Sequence, residues 1–297
     1  MLRESAPILE VKNLTKRFGG LTAVDEVTLS FYPGKCQSII GPNGAGKTTF
    51  FNLITGMFPP TSGKIFFQDE EITHLHPPEI FRLRIVRTFQ ISSIFPQLSV
   101  LKNVEIAAQG RHRTSNSPWG HLTLSRQKIR ETSVGYLEQF NLAEMKNQSA
   151  GLLSSGDKRR LEIVMSLVSE PELLLLDEPT AGMSPEETHQ IAQLLRDLAK
   201  NITILLIEHD MGVVMRISDR VTVLNRGNVL ADGDPRQTTD SEFLLYPMLS
   251  VLRSSRNEGG SSWLNDSLKR MFWSSAAAAP ASGRQSVPGR SVQKCCS

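Results

Sequence analysis

The sequence predicts an α/β domain built on a mainly parallel sheet, with an inserted helical subdomain and a separate tail. Three observations carry that prediction. Residues 37–40 form a short strand-like segment that runs into a glycine-rich loop, and the loop opens a helix. Two wholly apolar runs, 173–176 and 204–207, have the length of strands buried on both faces. A helical pattern stands between those runs, so strand, helix and strand alternate as parallel crossover units do.

The elements follow in order. Ile8-Leu9-Glu10-Val11 and Val27-Thr28-Leu29-Ser30-Phe31 partly alternate apolar and polar residues, as half-exposed strands do. Pro33-Gly34 makes a turn, residues 37–40 a strand, and 48–55 a helix that Gly56 is placed to end. Residues 64–67 read as a further strand, followed by an acidic turn, Asp69-Glu70-Glu71. From about 91 to 150 the pattern turns helical and more polar, with loop signals at 113–120. The helix from Ser184 has a marked start: Ser184 as N-cap, Pro185 in first position and Glu187 completing a capping box. Its apolar face is Ile191, Leu194, Leu195 and Leu198. Residues 221–224, the turn Asn225-Arg226-Gly227 and residues 229–231 close with a hairpin. The domain thus spans 8–235, and residues 236–297 form a tail in which Ser, Arg, Gly, Pro and Ala dominate.

Composition removes several classes. With 39% hydrophobic residues in 297, the chain supports a real core. No run approaches the roughly 18 apolar residues that span a bilayer, and residues 1–7 lack the apolar stretch of a secretory signal. The expected place is the cytosol, with other chains supplying any membrane. Cys36, Cys295 and Cys296 have neither zinc spacing nor a C-x-x-C pattern. From Arg236 onward eight Lys/Arg face four Asp/Glu, so the tail carries +4 of a net +3 and the preceding residues carry −1. The basic balance belongs to the tail, and the body predicts no nucleic-acid partner.

Gly41-Pro42-Asn43-Gly44-Ala45-Gly46-Lys47-Thr48 matches G-x-x-x-x-G-K-[ST] between a strand and a helix, followed by Thr49. Glycines let backbone N–H groups converge on phosphate oxygens, and the helix N-terminus adds a favourable dipole. Lys47 would reach the β- and γ-phosphates, and the Thr48 hydroxyl would ligate Mg²⁺. Leu173-Leu174-Leu175-Leu176-Asp177-Glu178 is a buried strand ending in two carboxylates. There Asp177 would hold Mg²⁺, and Glu178 would orient or deprotonate the attacking water.

Further motifs carry a family resemblance. Leu153-Ser154-Ser155-Gly156-Asp157, Arg87-Thr88-Phe89-Gln90, Glu178-Pro179-Thr180-Ala181-Gly182-Met183-Ser184 and His209 resemble, in order and spacing, the signature loop, Q-loop, D-loop and switch histidine of ABC transporter ATPases. The resemblance covers 8–235. It implies a P-loop NTPase fold of the ABC type: a RecA-like core, an antiparallel β subdomain and an inserted helical subdomain. It also implies ATP and Mg²⁺ as cofactors, with Phe18 stacking on adenine, and Gln90 sensing nucleotide through Mg²⁺ or water. Ser154 and Gly156 would bind a γ-phosphate carried by a partner subunit, and His209 would position the water. Three departures stand out: Ser155 and Asp157 where Gly and Gln are commonest, Phe18 for the usual Tyr, and Ser184 where many relatives carry Asp. Asp157 either burdens a phosphate site with negative charge or pairs with Lys158 or Arg159.

Arg159-Arg160-Leu161-Glu162-Ile163 and Glu208-His209-Asp210-Met211 narrow the resemblance to ATPases for branched-chain and other hydrophobic amino acids. Urea or amide importers and lipopolysaccharide exporters are the alternatives. A soluble ABC ATPase acting on ribosomes or DNA is the rival from another class. The resemblance implies two transmembrane permeases, a second ATPase subunit, an extracytoplasmic binding protein and a place on the cytoplasmic face of the inner membrane. His74 and His76 lack a third ligand at useful spacing. Arg82, Arg84 and Arg87 alternate with apolar residues and read as snorkelling side chains. The tail reads as a disordered or frame-altered extension; its alternative is a membrane-surface helix around 263–273.

Overall fold

The structure, a computed structural model, describes residues 6–88, 94–112 and 126–235. Gln90, the loop signals of 113–120 and the tail lie outside the described residues. In chain order the elements begin with β1 (Leu9–Phe18), β2 (Leu21–Phe31), β3 (Cys36–Ile40), α1 (Lys47–Ile54), β4 (Ser62–Phe67) and β5 (Glu70–Glu71). There follow α2 (Pro77–Arg82), β6 (Ile85–Arg87), α3 (Val100–His112), α4 (Arg126–Gln139), a 3₁₀ turn at Ala150–Leu152 and α5 (Ser155–Leu167). The last are β7 (Leu173–Asp177), α6 (Pro185–Leu198), β8 (Thr203–Ile207), α7 (Met211–Ile217), β9 (Arg220–Asn225) and β10 (Asn228–Gly233).

These strands make two sheets. One is antiparallel, in the order β2-β1-β4-β5, and the other runs β10-β9-β3-β8-β7-β6. In the second, β9, β3, β8, β7 and β6 are parallel, and β10 is added antiparallel at one edge. The apolar runs are its centre, and their alternation explains why they carry no polar residue. Leu174, Leu176, Ile204 and Leu206 pack with Leu161 and Val164 of α5 and with Ile191 and Leu195 of α6. Leu173, Leu175, Leu205 and Ile207 pack on the other side with Phe50, Phe51 and Ile54 of α1 and with Leu9, Val11 and Phe31 of the antiparallel sheet. A strand covered on both faces has no solvent side to mark. Each fully buried leucine of this kind stabilises the fold by roughly 1.5–3 kcal/mol.

Local chemistry matches these elements. Ser184 caps α6, with its hydroxyl accepting from Glu187 N at 3.3 Å and its own N–H donating to the Glu187 carboxylate at 2.9 Å. Thr55 ends α1, and Gly56 follows at φ +66°, a left-handed conformation suited to glycine. The acidic turn is tighter than expected. Gln68 and Asp69 both have positive φ, as in a two-residue hairpin turn, and Glu70 and Glu71 already pair with Phe67 and Phe66.

Candidate nucleotide site

The loop between β3 and α1 closes on its own amine. Lys47 Nζ donates to the carbonyls of Gly41 at 2.7 Å and Pro42 at 3.0 Å. Gly46 sits at φ +102°, and a Cβ there would meet the Ala23 carbonyl oxygen at 2.2 Å. Gly41 is pressed equally hard, by the Leu224 carbonyl. The hairpin β9–β10 props the loop from outside, with Gly227 N donating to Ala45 O at 3.0 Å. Asn43 and Gly44 form the exposed tip, Thr48 is exposed and Thr49 half-buried. The first turn of α1 holds no acidic side chain and takes no side-chain cap. Its N–H groups are therefore left for an anion.

Burial pushes the Lys47 ammonium below the usual lysine range, while the carboxylates of Glu178 and Asp177 oppose that shift. The amine, the loop and both carboxylates thus share one electrostatic neighbourhood. Asp177 ends β7 at 1% exposure. Its Oδ2 takes a bond from Arg87 Nη2 at 2.9 Å, whereas its Oδ1 is buried with no partner among the described residues. An orphaned buried carboxylate oxygen is costly unless something completes it. Glu178 follows at φ +50°, a left-handed conformation that costs a non-glycine residue roughly 1–3 kcal/mol and is found where the surroundings enforce it. Its Oε1 lies 2.8 Å from His209 Nε2.

Two largely buried charges hold that turn. Arg159, on α5, donates to the backbone carbonyls of Asp177 and Glu178, the latter at 3.1 Å. Glu208, 3% exposed, accepts from the Thr180 N–H at 3.1 Å, from the Thr180 hydroxyl, and from His209 N at 2.9 Å. The turn after β7 is thereby tied to the loop that carries His209.

At the start of α5, Ser154 is the N-cap and accepts from Asp157 N at 3.1 Å. Its hydroxyl donates to Asp157 Oδ2 at 2.7 Å. Asp157 pairs with Arg160 at 3.2 Å, as residues three apart share a helix face. Arg160 also reaches Glu187 at 3.1 Å, and a Cβ on Gly156 would meet that same carboxylate at 2.9 Å. Phe18 ends β1 as a 46% exposed residue, its ring edge-on to Phe58 at 5.4 Å and Lys16 Nζ 5.2 Å from its centroid.

One reading of the sequence is overturned. Arg87 does not snorkel: its side chain is 6% exposed, bonded to Asp177 and, at 2.5 Å, to Asn52 Oδ1, and stacked 5.4 Å from the Phe51 ring. Arg84 pairs with Glu172 at 2.8 Å. The signal available for Arg87 was its place on an apolar strand, since a buried charge demands a partner.

A glycine loop cradling a lysine, beside a strand that ends in two carboxylates, defines the class of mononucleotide-binding ATPases. Comparison with known proteins narrows it. The ABC transporter family model matches residues 24–181, more than half of the chain. The high-affinity branched-chain amino acid transport ATP-binding protein BraF of Pseudomonas aeruginosa is 45% identical over 252 residues, covering 82% of this chain and 98% of the relative. LivG of Escherichia coli, described in the same words, is 44% identical over 251 residues, again covering 82% and 98%. An ABC transporter cassette solved in its ADP conformation superposes with TM-score 0.70 at 31% identity, covering 81% of this chain and 98% of that one. A dimeric cassette bound to ADP and Pi gives 0.67 at 27%, covering 77% and 99%. The chain belongs to the ABC transporter family and is an ATP-binding cassette.

Proposed function

We propose that the chain is the ATP-hydrolysing subunit of an importer for branched-chain or other hydrophobic amino acids. The observation that carries the reading is the Glu178–His209 contact beside the Lys47 loop. It supplies a carboxylate and an imidazole at one point, in a chain that matches BraF and LivG over nearly their whole length. Residues 8–235 form the cassette, with 91–150 as its helical subdomain. Among the described residues no helix is long and apolar enough to cross a membrane. We place the chain on the cytoplasmic face of the inner membrane, with two permease subunits, a second ATPase subunit and an extracytoplasmic binding protein.

The residues divide the work. Phe18 offers a ring face for adenine, and Gly41, Pro42, Asn43, Gly44, Ala45 and Gly46 wrap the phosphates, with Thr49 beside them. Lys47 exchanges its two loop carbonyls for phosphate oxygens. The unpartnered Oδ1 of Asp177 fits a cation ligand, and Thr48 and Gln90 are the other residues that would hold Mg²⁺. When bound, the metal neutralises charge on the transferring phosphoryl group. Glu178 takes up or orients the proton of the attacking water, and His209 holds Glu178 and the γ-phosphate in register. Ser154 and Gly156 engage the nucleotide of the partner ATPase.

The test is labelled leucine uptake in the source cell, comparing wild type with Lys47→Ala. Loss of uptake with the protein still expressed is the expected result. Unchanged uptake, once redundant leucine carriers are removed, would transfer the substrate assignment elsewhere.

A further inference from the structure

α5 begins at Ser154 and Gly156, and five residues past the cap its Arg159 leaves the helix for the turn after β7. The side chain is 12% exposed, so it has given up most of its hydration. Glu162, 9% exposed, meets one nitrogen at 2.7 Å and balances the charge. The other nitrogen donates to the two successive carbonyls of Asp177 and Glu178. A buried guanidinium directed at main-chain oxygens fixes a backbone conformation, and here the residue it fixes is the one at φ +50°. A second tie joins the same helix start to the far side of the turn: Arg160 holds Glu187, which caps α6 through Ser184.

We infer that Arg159 is a positioning residue that couples the engagement of the Ser154–Gly156 loop to the aim of Glu178. The inference rests on the proposed function. If that loop reads the nucleotide held by the partner ATPase, Arg159 links one nucleotide to the carboxylate that acts on the other. A displacement of α5 by one nucleotide moves the two carbonyls that Arg159 grips. The Glu178 side chain, anchored between them, moves with them.

The experiment uses the purified full chain and asks whether Arg159 acts through Glu178. Arg159→Lys keeps the charge but lacks the fork that spans Glu162 and the carbonyls. Arg159→Met/Glu162→Leu removes the buried pair together, so that neither charge is stranded and the fold is kept. Each is built in the wild-type and the Glu178→Gln backgrounds. Single-turnover hydrolysis and equilibrium binding of a trinitrophenyl-labelled ATP are measured for all of them. In the wild-type background hydrolysis is expected to fall on the order of 10²-fold for the double variant, and less for Arg159→Lys, with nucleotide affinity within about twofold. In the Glu178→Gln background the same changes are expected to lower the residual rate by less than about threefold, because residues acting as a unit are not additive. Equal losses in both backgrounds, an unchanged rate, or affinity falling in step with rate would each overturn the coupling alone. Hydrolysis insensitive to both Lys47→Ala and Glu178→Gln would instead overturn the proposed function, and the coupling with it.

Discussion

Two helix N-termini in this molecule are built for negative charge, and they are finished in opposite ways. α1 starts at Gly46, with no side-chain cap and no acid in its first turn. α5 starts at Ser154, whose hydroxyl is engaged with Asp157 N and Oδ2, and Arg160 neutralises the acid. The first end keeps its donors open, at the expense of a strained glycine. The second has one donor, Asp157 N, and the Ser154 hydroxyl already engaged within the chain, so an incoming phosphate must contend with the Asp157 carboxylate. On the proposed function, the contrast assigns the two motifs separate tasks: the Lys47 loop is preorganised for nucleotide, and the Ser154 loop engages one when a partner presents it.

Substitution of the two glycines should break this comparison most sharply. At Gly46 an added Cβ collides with a backbone carbonyl in a left-handed conformation. Gly46→Ala is expected to destabilise the domain by about 2–4 kcal/mol and abolish nucleotide binding, seen in urea melts and binding titrations. At Gly156 the obstacle is the end of the Glu187 side chain, which can swing. Gly156→Ala is expected to cost under about 1 kcal/mol by the same melts, leaving nucleotide binding intact. The next effect concerns the acid that fills the second end. Asp157→Asn removes its charge while keeping a local acceptor, and ATP-driven pairing in the Glu178→Gln background should strengthen severalfold, read by gel filtration against ATP concentration.

The smallest effect lies in the cap that joins α6 to the Ser154 loop. The Glu187 carboxyl titrates below the usual glutamate range, first because the Ser184 N–H donates to it, with the Ser184 hydroxyl and Arg160 adding to the shift against some burial. A depressed folded value means that its stabilisation is present above the ordinary glutamate range and is lost as pH falls through the folded value. Glu187→Gln should therefore cost under about 1 kcal/mol near neutral pH and less in acid, measured by thermal melts at several pH values.

What could be read from the sequence was whatever one segment settles by itself. The capping box, Pro185 and the apolar face of α6 need only 3.6-residue spacing, and the Lys47 loop needs only its neighbours. Arg87 was misread because its partner lies 90 residues on, brought alongside by the parallel pairing of β6 with β7. Its place on an apolar strand signals that a buried partner is needed, but no local pattern says which distant carboxylate supplies it. Arg159 and Glu208 stand in the sequence only as parts of family motifs, and their contacts were illegible for the same reason, since each reaches main-chain atoms of the distant turn after β7.

The four leucines of β7 have a consequence for how the strand finds its place. They are identical and buried on both faces, so sliding the strand by one position would leave most of its packing unchanged. Asp177 would not tolerate that slide: shifted one way it would lose Arg87, and shifted the other it would enter the leucine layer unpaired. The ion pair near the Lys47 loop therefore acts as a detent for the central sheet. It sets the alignment of a strand whose own side chains cannot tell one register from the next.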